Sequence, residues 1–105
     1  MKIVFDIAEG CREALRIFGT PSLPEGNPEK AERFLRLKRS VIDAMDSCDR
    51  RDERDRILHG ALLLLLCAIE DLSKHERTDD PAERTRLFMG ASKKLHSARI
   101  SYEGI

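Results

Sequence analysis

Histidine and cysteine are the side chains of this 105-residue sequence that could most directly bind a metal or act as a nucleophile. The three histidines are His59, His75 and His96. His59 and Glu70 are three turns apart along one helix face, which is too far for both to bind one ion. The sequence also lacks the paired Glu-x-x-His motifs that di-iron helical bundles use. We therefore expect no metal site.

The three cysteines show no arrangement that favours thiol chemistry. The sequence has no Cys-x-x-Cys motif, no cysteine adjacent to a histidine and no glycine-rich phosphate-binding loop. Each cysteine falls among apolar residues at helical spacing, where a free thiol behaves as a small hydrophobic group. We therefore expect Cys11, Cys48 and Cys67 to be reduced, buried structural residues, as in a cytoplasmic protein. Because no residues for metal, thiol or phosphate chemistry are apparent, we also expect that the protein is not an enzyme and needs no cofactor.

The balance of charges limits the partners that the protein can attract. The 19 basic and 19 acidic side chains cancel, so no net field draws the chain to nucleic acid or to an anionic membrane. The longest apolar run, residues 61–69, is about half of the ~20 residues that span a bilayer. The first residues also lack the apolar region of a signal peptide. We expect a soluble protein that does not associate with membranes.

Apolar residues recur at helical spacing in four segments, which polar or Pro- and Gly-rich connectors separate. Asn27-Pro28 and Asp80-Pro81 each combine an N-cap residue with proline in the first turn, and Glu83 extends the second signal to a capping box. Short connectors after the second and third segments favour antiparallel neighbours. The pattern predicts one all-α domain over residues 1–105, a compact up-and-down four-helix bundle with helices near 3–18, 28–48, 52–75 and 81–102.

Two neighbouring segments contrast in polarity. Residues 49–56 are eight consecutive charges, four of each sign, and such a block is expected to form an exposed turn and exposed first turns of the next helix. Residues 61–69 are apolar on every side of the helix that they form. A helix of this kind is either buried centrally or covered by another chain.

Lys38 is the charged residue that fits its helix least well, because it falls in the middle of an apolar face. Its methylene groups could cover the core while the ammonium group reaches solvent. Alternatively, part of this face is a docking surface on which Lys38 meets an acidic group of a partner or of a second copy. The second interpretation gives a candidate protein interface, which consists of Phe34, Lys38, Val41, Met45, Leu62 and Leu65.

The fourth helix carries a basic strip that suggests a different partner. Arg86, Lys93 and Lys94 share one side of this helix, and no acidic residue occurs between Arg84 and Tyr102. The strip is either an ordinary solvated face or a contact for phosphate groups or an acidic protein. Aromatic residues do not alternate with these bases, so the sequence gives little support to base recognition.

Together these features predict a small helical protein–protein interaction module, such as an adaptor, a chaperone-like protein or a regulatory subunit. The wide apolar face of the second helix and the apolar third helix favour a homodimer. The alternative is a protein associated with nucleic acid through the basic strip.

Overall fold

The computed structural model describes residues 5–21 and 26–103, and it contains four α-helices within them. The all-α prediction is confirmed. The helix expected from residue 3 begins later, because Phe5 and Asp6 precede the first helical residue and Asp6 is the N-cap. Residues 3 and 4 lie outside the described ranges. The helices are α1 (Ile7–Phe18), α2 (Pro28–Asp46), α3 (Glu53–Arg77) and α4 (Pro81–Glu103).

Short polar side chains define where the helices begin. The Asn27 side chain accepts a hydrogen bond from the Lys30 backbone N–H at 3.1 Å, and Pro28 occupies the first turn of α2. Asp80 similarly accepts from the Ala82 N–H at 3.1 Å. Each cap satisfies a backbone donor that has no partner within the helix. Both predicted cap-plus-proline starts are therefore confirmed.

Contacts between chain segments establish the up-and-down topology. The Lys30 ammonium group, at the start of α2, bonds both to the Phe18 carbonyl at the end of α1 and to Glu76 at the end of α3. At the opposite end of the molecule, the backbone N–H of Asp49 donates to Asp55 in the first turn of α3. Three residues separate α3 from α4, and Lys94 of α4 binds Asp71 of α3, so α4 folds back along α3. Consecutive helices therefore run in opposite directions, as short connectors favour.

Helix α3 occupies the centre of the fold and contacts each of the other three helices. Its inward side includes Leu62, Leu65, Ile69 and Leu72, each at most 1% exposed. Helix α1 reaches this side closely at Gly10, where a Cβ atom would lie only 2.9 Å from the Leu65 side chain. The prediction that α3 is centrally buried is therefore correct for one side of the helix only.

The helices leave the other side of α3 uncovered. Within the described ranges α2 and α4 flank α3 without contacting one another, while α1 contacts all three. The resulting shape is flat, with extents of 46 × 25 × 17 Å. Because α1 covers only one broad side of the α2, α3 and α4 layer, the opposite broad side has no covering helix in this part of the chain.

Two expectations about burial were wrong. Asp55, expected to be exposed within the charged block, is 2% exposed, and its carboxylate accepts a hydrogen bond from the Asp49 N–H at 2.7 Å, which compensates for its lost hydration. Cys67, expected to be buried, lies on the uncovered side of α3 and is exposed, whereas Cys11 is buried and Cys48 is half-buried. No helix in residues 5–21 and 26–103 is long and apolar enough to cross a membrane.

Candidate functional site

The uncovered side of α2 and α3 carries apolar side chains on both sides of an ion pair. Lys38 on α2 binds Glu70 on α3, so the two helix faces that contain these residues meet at this point. Helical spacing of three, four or seven residues places apolar neighbours on the same faces. We call this surface the open face and define it as Leu35, Lys38 and Ile42 of α2 with Leu63, Cys67 and Glu70 of α3.

The open face lies on the side of the layer opposite α1. Arg33, which is five residues and about 140° around α2 from Lys38, binds Thr20 and Glu13 at the α1 side. On α3, Leu65 faces Gly10 of α1. Leu63 is two residues from Leu65 and therefore points away from α1.

Three large apolar side chains of the open face are exposed, as are six others elsewhere in the described residues. Leu63 is 46% exposed, Leu35 is 39% exposed and Ile42 is 37% exposed. Single exposed leucines are common, but a cluster of them on one face marks a surface that gains free energy when it is covered. The cluster is therefore chemically suited to receive another apolar helix.

The structure places the predicted interface residues in two different environments. Phe34, Val41, Leu62 and Leu65 are at most 3% exposed and belong to the core of their own chain, so they do not line a surface that a partner could reach. Met45 is half-buried, and Lys38 lies on the open face. The exposed apolar residues of the predicted region are instead Leu35, Ile42 and Leu63.

Lys38 has an explanation that the sequence did not provide. Its ammonium group reaches Glu70, and both side chains are 36% exposed. The position of Lys38 at the surface fits the first interpretation, and the second, in which Lys38 meets an acidic group of a partner or of a second copy, stays a prediction. The acidic partner, Glu70, lies on the neighbouring helix of the same chain. A helical wheel of α2 alone could not show this pair, because the two residues are far apart in the sequence.

A second lysine of α2, Lys30, is far more buried than Lys38. Lys30 is 2% exposed, and its ammonium group donates to the carbonyls of Phe18 at 2.9 Å and Thr20 at 2.8 Å and to the Glu76 carboxylate at 2.6 Å. The Phe18 carbonyl is at the C-terminal end of α1, where a cation is favoured by the helix dipole, and the Thr20 carbonyl lies just beyond that end. Lys30 therefore ties together α1, α2 and α3.

An aromatic cluster extends this connection to α4. The Phe18 ring stacks on Phe88 at 5.3 Å and meets His75 edge-on at 4.8 Å, and the Lys30 ammonium group lies 5.5 Å from the same ring. A cleft of about 790 Å³ adjoins this region between the start of α2 and the end of α3. Lys30, His75 and Glu76 are among its lining residues. The aromatic contacts join α1, α3 and α4, and the Lys30–Glu76 ion pair joins α2 and α3. Together they hold the four helices at this end of the molecule.

The environment of His75 makes stability depend on pH. Loss of hydration lowers the pKa of His75 below its usual value of 6.5, the charges of Arg84 and Lys30 lower it further, and Glu76 acts in the opposite direction. Protonation is therefore harder in the folded protein than in the unfolded chain, so the unfolded chain takes up more protons below about pH 6.5. The contribution of His75 to stability is complete above that pH and declines as the pH falls.

We expect His75→Phe, which keeps a ring against Phe18, to reduce the loss of stability between pH 7.5 and pH 5.5. Urea unfolding at both pH values measures this loss in the wild type and the variant. His96→Phe is the matched control, because His96 is exposed on α4. An equal loss of stability in the wild type and His75→Phe would contradict the assignment.

Acidic partners neutralise much of the basic strip. Lys94 binds Asp71 of α3 at 2.5 Å, and Arg86 binds Glu83 one turn earlier on α4. The Glu83 carboxylate is thus engaged by Arg86, contrary to its predicted role in a capping box. Lys93 is the member of the strip for which the described residues supply no ion pair. Binding to nucleic acid stays a prediction. The basic strip has less unpaired positive charge available for phosphate groups than the sequence suggested.

The turn between α2 and α3 and the start of α3 bring together residues that lie within twelve positions of one another in the sequence. Cys48, Asp55 and His59 line a small cavity of about 220 Å³ together with Arg50 and Arg56. The Cys48 thiol donates to the Ala44 carbonyl at 3.4 Å. Among the described residues no group of three or more potential ligands is arranged to hold a metal ion.

The buried Cys11 thiol is shielded from reaction. It donates weakly to the Leu95 carbonyl at 3.8 Å, and burial raises its pKa, while Arg99 and Arg12 act in the opposite direction. A raised pKa reduces the fraction of reactive thiolate. This cysteine is therefore part of the core.

Comparisons with known proteins identify no similar protein. No protein-family model matches the sequence, and searches of curated proteins and of solved structures give no match.

Proposed function

We propose that this chain is a helical protein–protein interaction module that uses the open face to bind a second copy of itself. An adaptor, a chaperone-like protein or a regulatory subunit would act in this way. The observation that carries the proposal is the cluster of exposed Leu35, Ile42 and Leu63 on the side of the bundle that α1 does not cover.

The size and charge of the molecule are compatible with this partner. A stable interface buries roughly 800 Å² on each partner, and the broad side of the molecule measures 46 × 25 Å. The open face carries one cation and one anion, and the sequence has a net charge of zero. Two copies therefore approach one another without net repulsion.

Leu63→Glu tests the proposed surface directly. A carboxylate at this position would lose its hydration when the interface closes, so we expect self-association to weaken by at least about tenfold. Sedimentation velocity over a range of protein concentrations measures the change. The variant should remain folded, because Leu63 is 46% exposed in the single chain.

Met89→Glu is the matched control for Leu63→Glu. Met89 is 64% exposed and lies about 140° around α4 from Lys94, which contacts α3. This substitution places the same charge on the surface away from the open face, and we expect self-association to be unchanged. Equal effects of the two substitutions would exclude the open face as the specific interface.

A further inference from the structure

We propose that Lys38 and Glu70 determine how two copies recognise one another, by exchanging partners across a twofold axis that runs along the groove between α2 and α3. This inference rests on the proposed function and specifies the geometry of the dimer. In the single chain, Lys38 binds Glu70. In the dimer, each of these groups would also face the opposite charge of the second copy.

Both charged groups have room for a second partner. Their side chains are each 36% exposed, so the pair sits at the surface with part of each group facing solvent. An ammonium group has three donors and a carboxylate has two acceptor oxygens. Neither group is therefore saturated by a single ion pair.

The order of the charges selects one of two simple twofold arrangements. An axis parallel to the groove places α2 of one copy over α3 of the other, so that Lys38 faces Glu70 of the second copy and Glu70 faces Lys38. An axis across the groove places α2 over α2 and brings Lys38 toward Lys38. Like charges in an interface oppose association by several kcal/mol, so the charge pattern favours the first arrangement.

The apolar residues of the open face fit the same arrangement. Leu35 and Ile42 lie on α2, whereas Leu63 and Cys67 lie on α3. Because α2 and α3 run in opposite directions, placing α2 over α3 of the second copy sets Ile42 over Cys67, and Leu63 lies at the level of Met45. Leu35 lies on the other side of the ion pairs, with no apolar residue of the open face opposite it. Apolar contact would then supply binding free energy, while the charges fix orientation.

The double variant Lys38→Glu with Glu70→Lys tests the exchange and retains an ion pair within each chain. We expect this variant to fold and to form dimers with itself about as well as the wild type does. A mixed dimer of the variant and the wild type would place lysine against lysine and glutamate against glutamate. We therefore expect native mass spectrometry of an equimolar mixture of the two proteins to show mixed dimers at least about tenfold weaker than either homodimer.

The single variants give the complementary result. Lys38→Glu and Glu70→Lys each carry like charges on the open face, so each alone should associate at least about tenfold more weakly than the wild type. An equimolar mixture of the two should form mixed dimers, although neither chain regains its internal ion pair.

The outcomes separate this inference from the proposed function. Free mixing of the double variant with the wild type would overturn the exchanged pairing, even if Leu63→Glu still abolishes association. The same conclusion would follow if the two single variants failed to form mixed dimers. A wild type that remains monomeric would overturn both the proposed dimer and this inference.

Discussion

Replacement of Lys30 by methionine is expected to lower the free energy of unfolding by about 3 kcal/mol. Lys30 is 2% exposed, and within the described part of the chain its ammonium group donates to the carbonyls of Phe18 and Thr20 and to the Glu76 carboxylate. Methionine fills a similar volume but leaves these oxygens without the ammonium donor. Removing one partner of a buried pair is costly because the remaining polar groups have lost their hydration.

Lys38→Met is the matched control for Lys30→Met. It removes the same charge from the same helix, but Lys38 and Glu70 are each 36% exposed. Ion pairs of this exposure contribute at most about 1 kcal/mol, because water solvates both groups when the pair is broken. Chemical denaturation followed by circular dichroism measures both values. Similar losses for the two variants would contradict the structural role assigned to Lys30.

The second large effect is expected at Leu65, where replacement by alanine should lower the free energy of unfolding by about 3 kcal/mol. Leu65 of α3 is fully buried and packs against Gly10 of α1. Its replacement by alanine would leave a cavity. Leu63→Ala, two residues earlier, should cost less than about 1 kcal/mol in dilute protein, because Leu63 is 46% exposed in the single chain.

The comparison of Leu63 with Leu65 tests which side of α3 faces the core. Urea titrations at low protein concentration keep any contribution from self-association small. If Leu63→Ala proved as costly as Leu65→Ala under these conditions, the uncovered side of α3 would be buried within the single chain. The open face would then not exist as a surface.

Local sequence signals predicted the helices well because the forces that start a helix act over a few residues. Asn27 with Pro28 identified the start of α2, and Asp80 with Pro81 identified the start of α4. The start of α1 was placed too early because apolar spacing continues upstream of Asp6, which caps the helix instead. Asp6, a residue type that is preferred at the N-cap, was therefore the more informative signal.

The candidate site was harder to predict because a helical wheel shows how wide an apolar face is but not what covers each part. Phe34 and Val41 belong to the same broad face of α2 as Leu35 and Ile42, yet the first two are in the core and the last two are exposed. The path of α1 decides this division. The same wheel could have identified Lys30, which lies close to Phe34 on the buried side.

Partners from distant helices were beyond the reach of local patterns. Glu70 of α3 neutralises Lys38, and Asp71 of α3 neutralises Lys94 of α4. Neither acid lies within helical spacing of the base that it pairs with. The basic strip therefore looked more strongly charged in the sequence than it is in the folded chain.

Sedimentation equilibrium of the wild-type protein at tens of micromolar tests the central claim most directly. We expect the weight-average mass to rise with concentration toward twice the 12.0 kDa mass of the chain. A mass that stays at 12.0 kDa over the full concentration range would contradict the proposal that the open face binds a second copy.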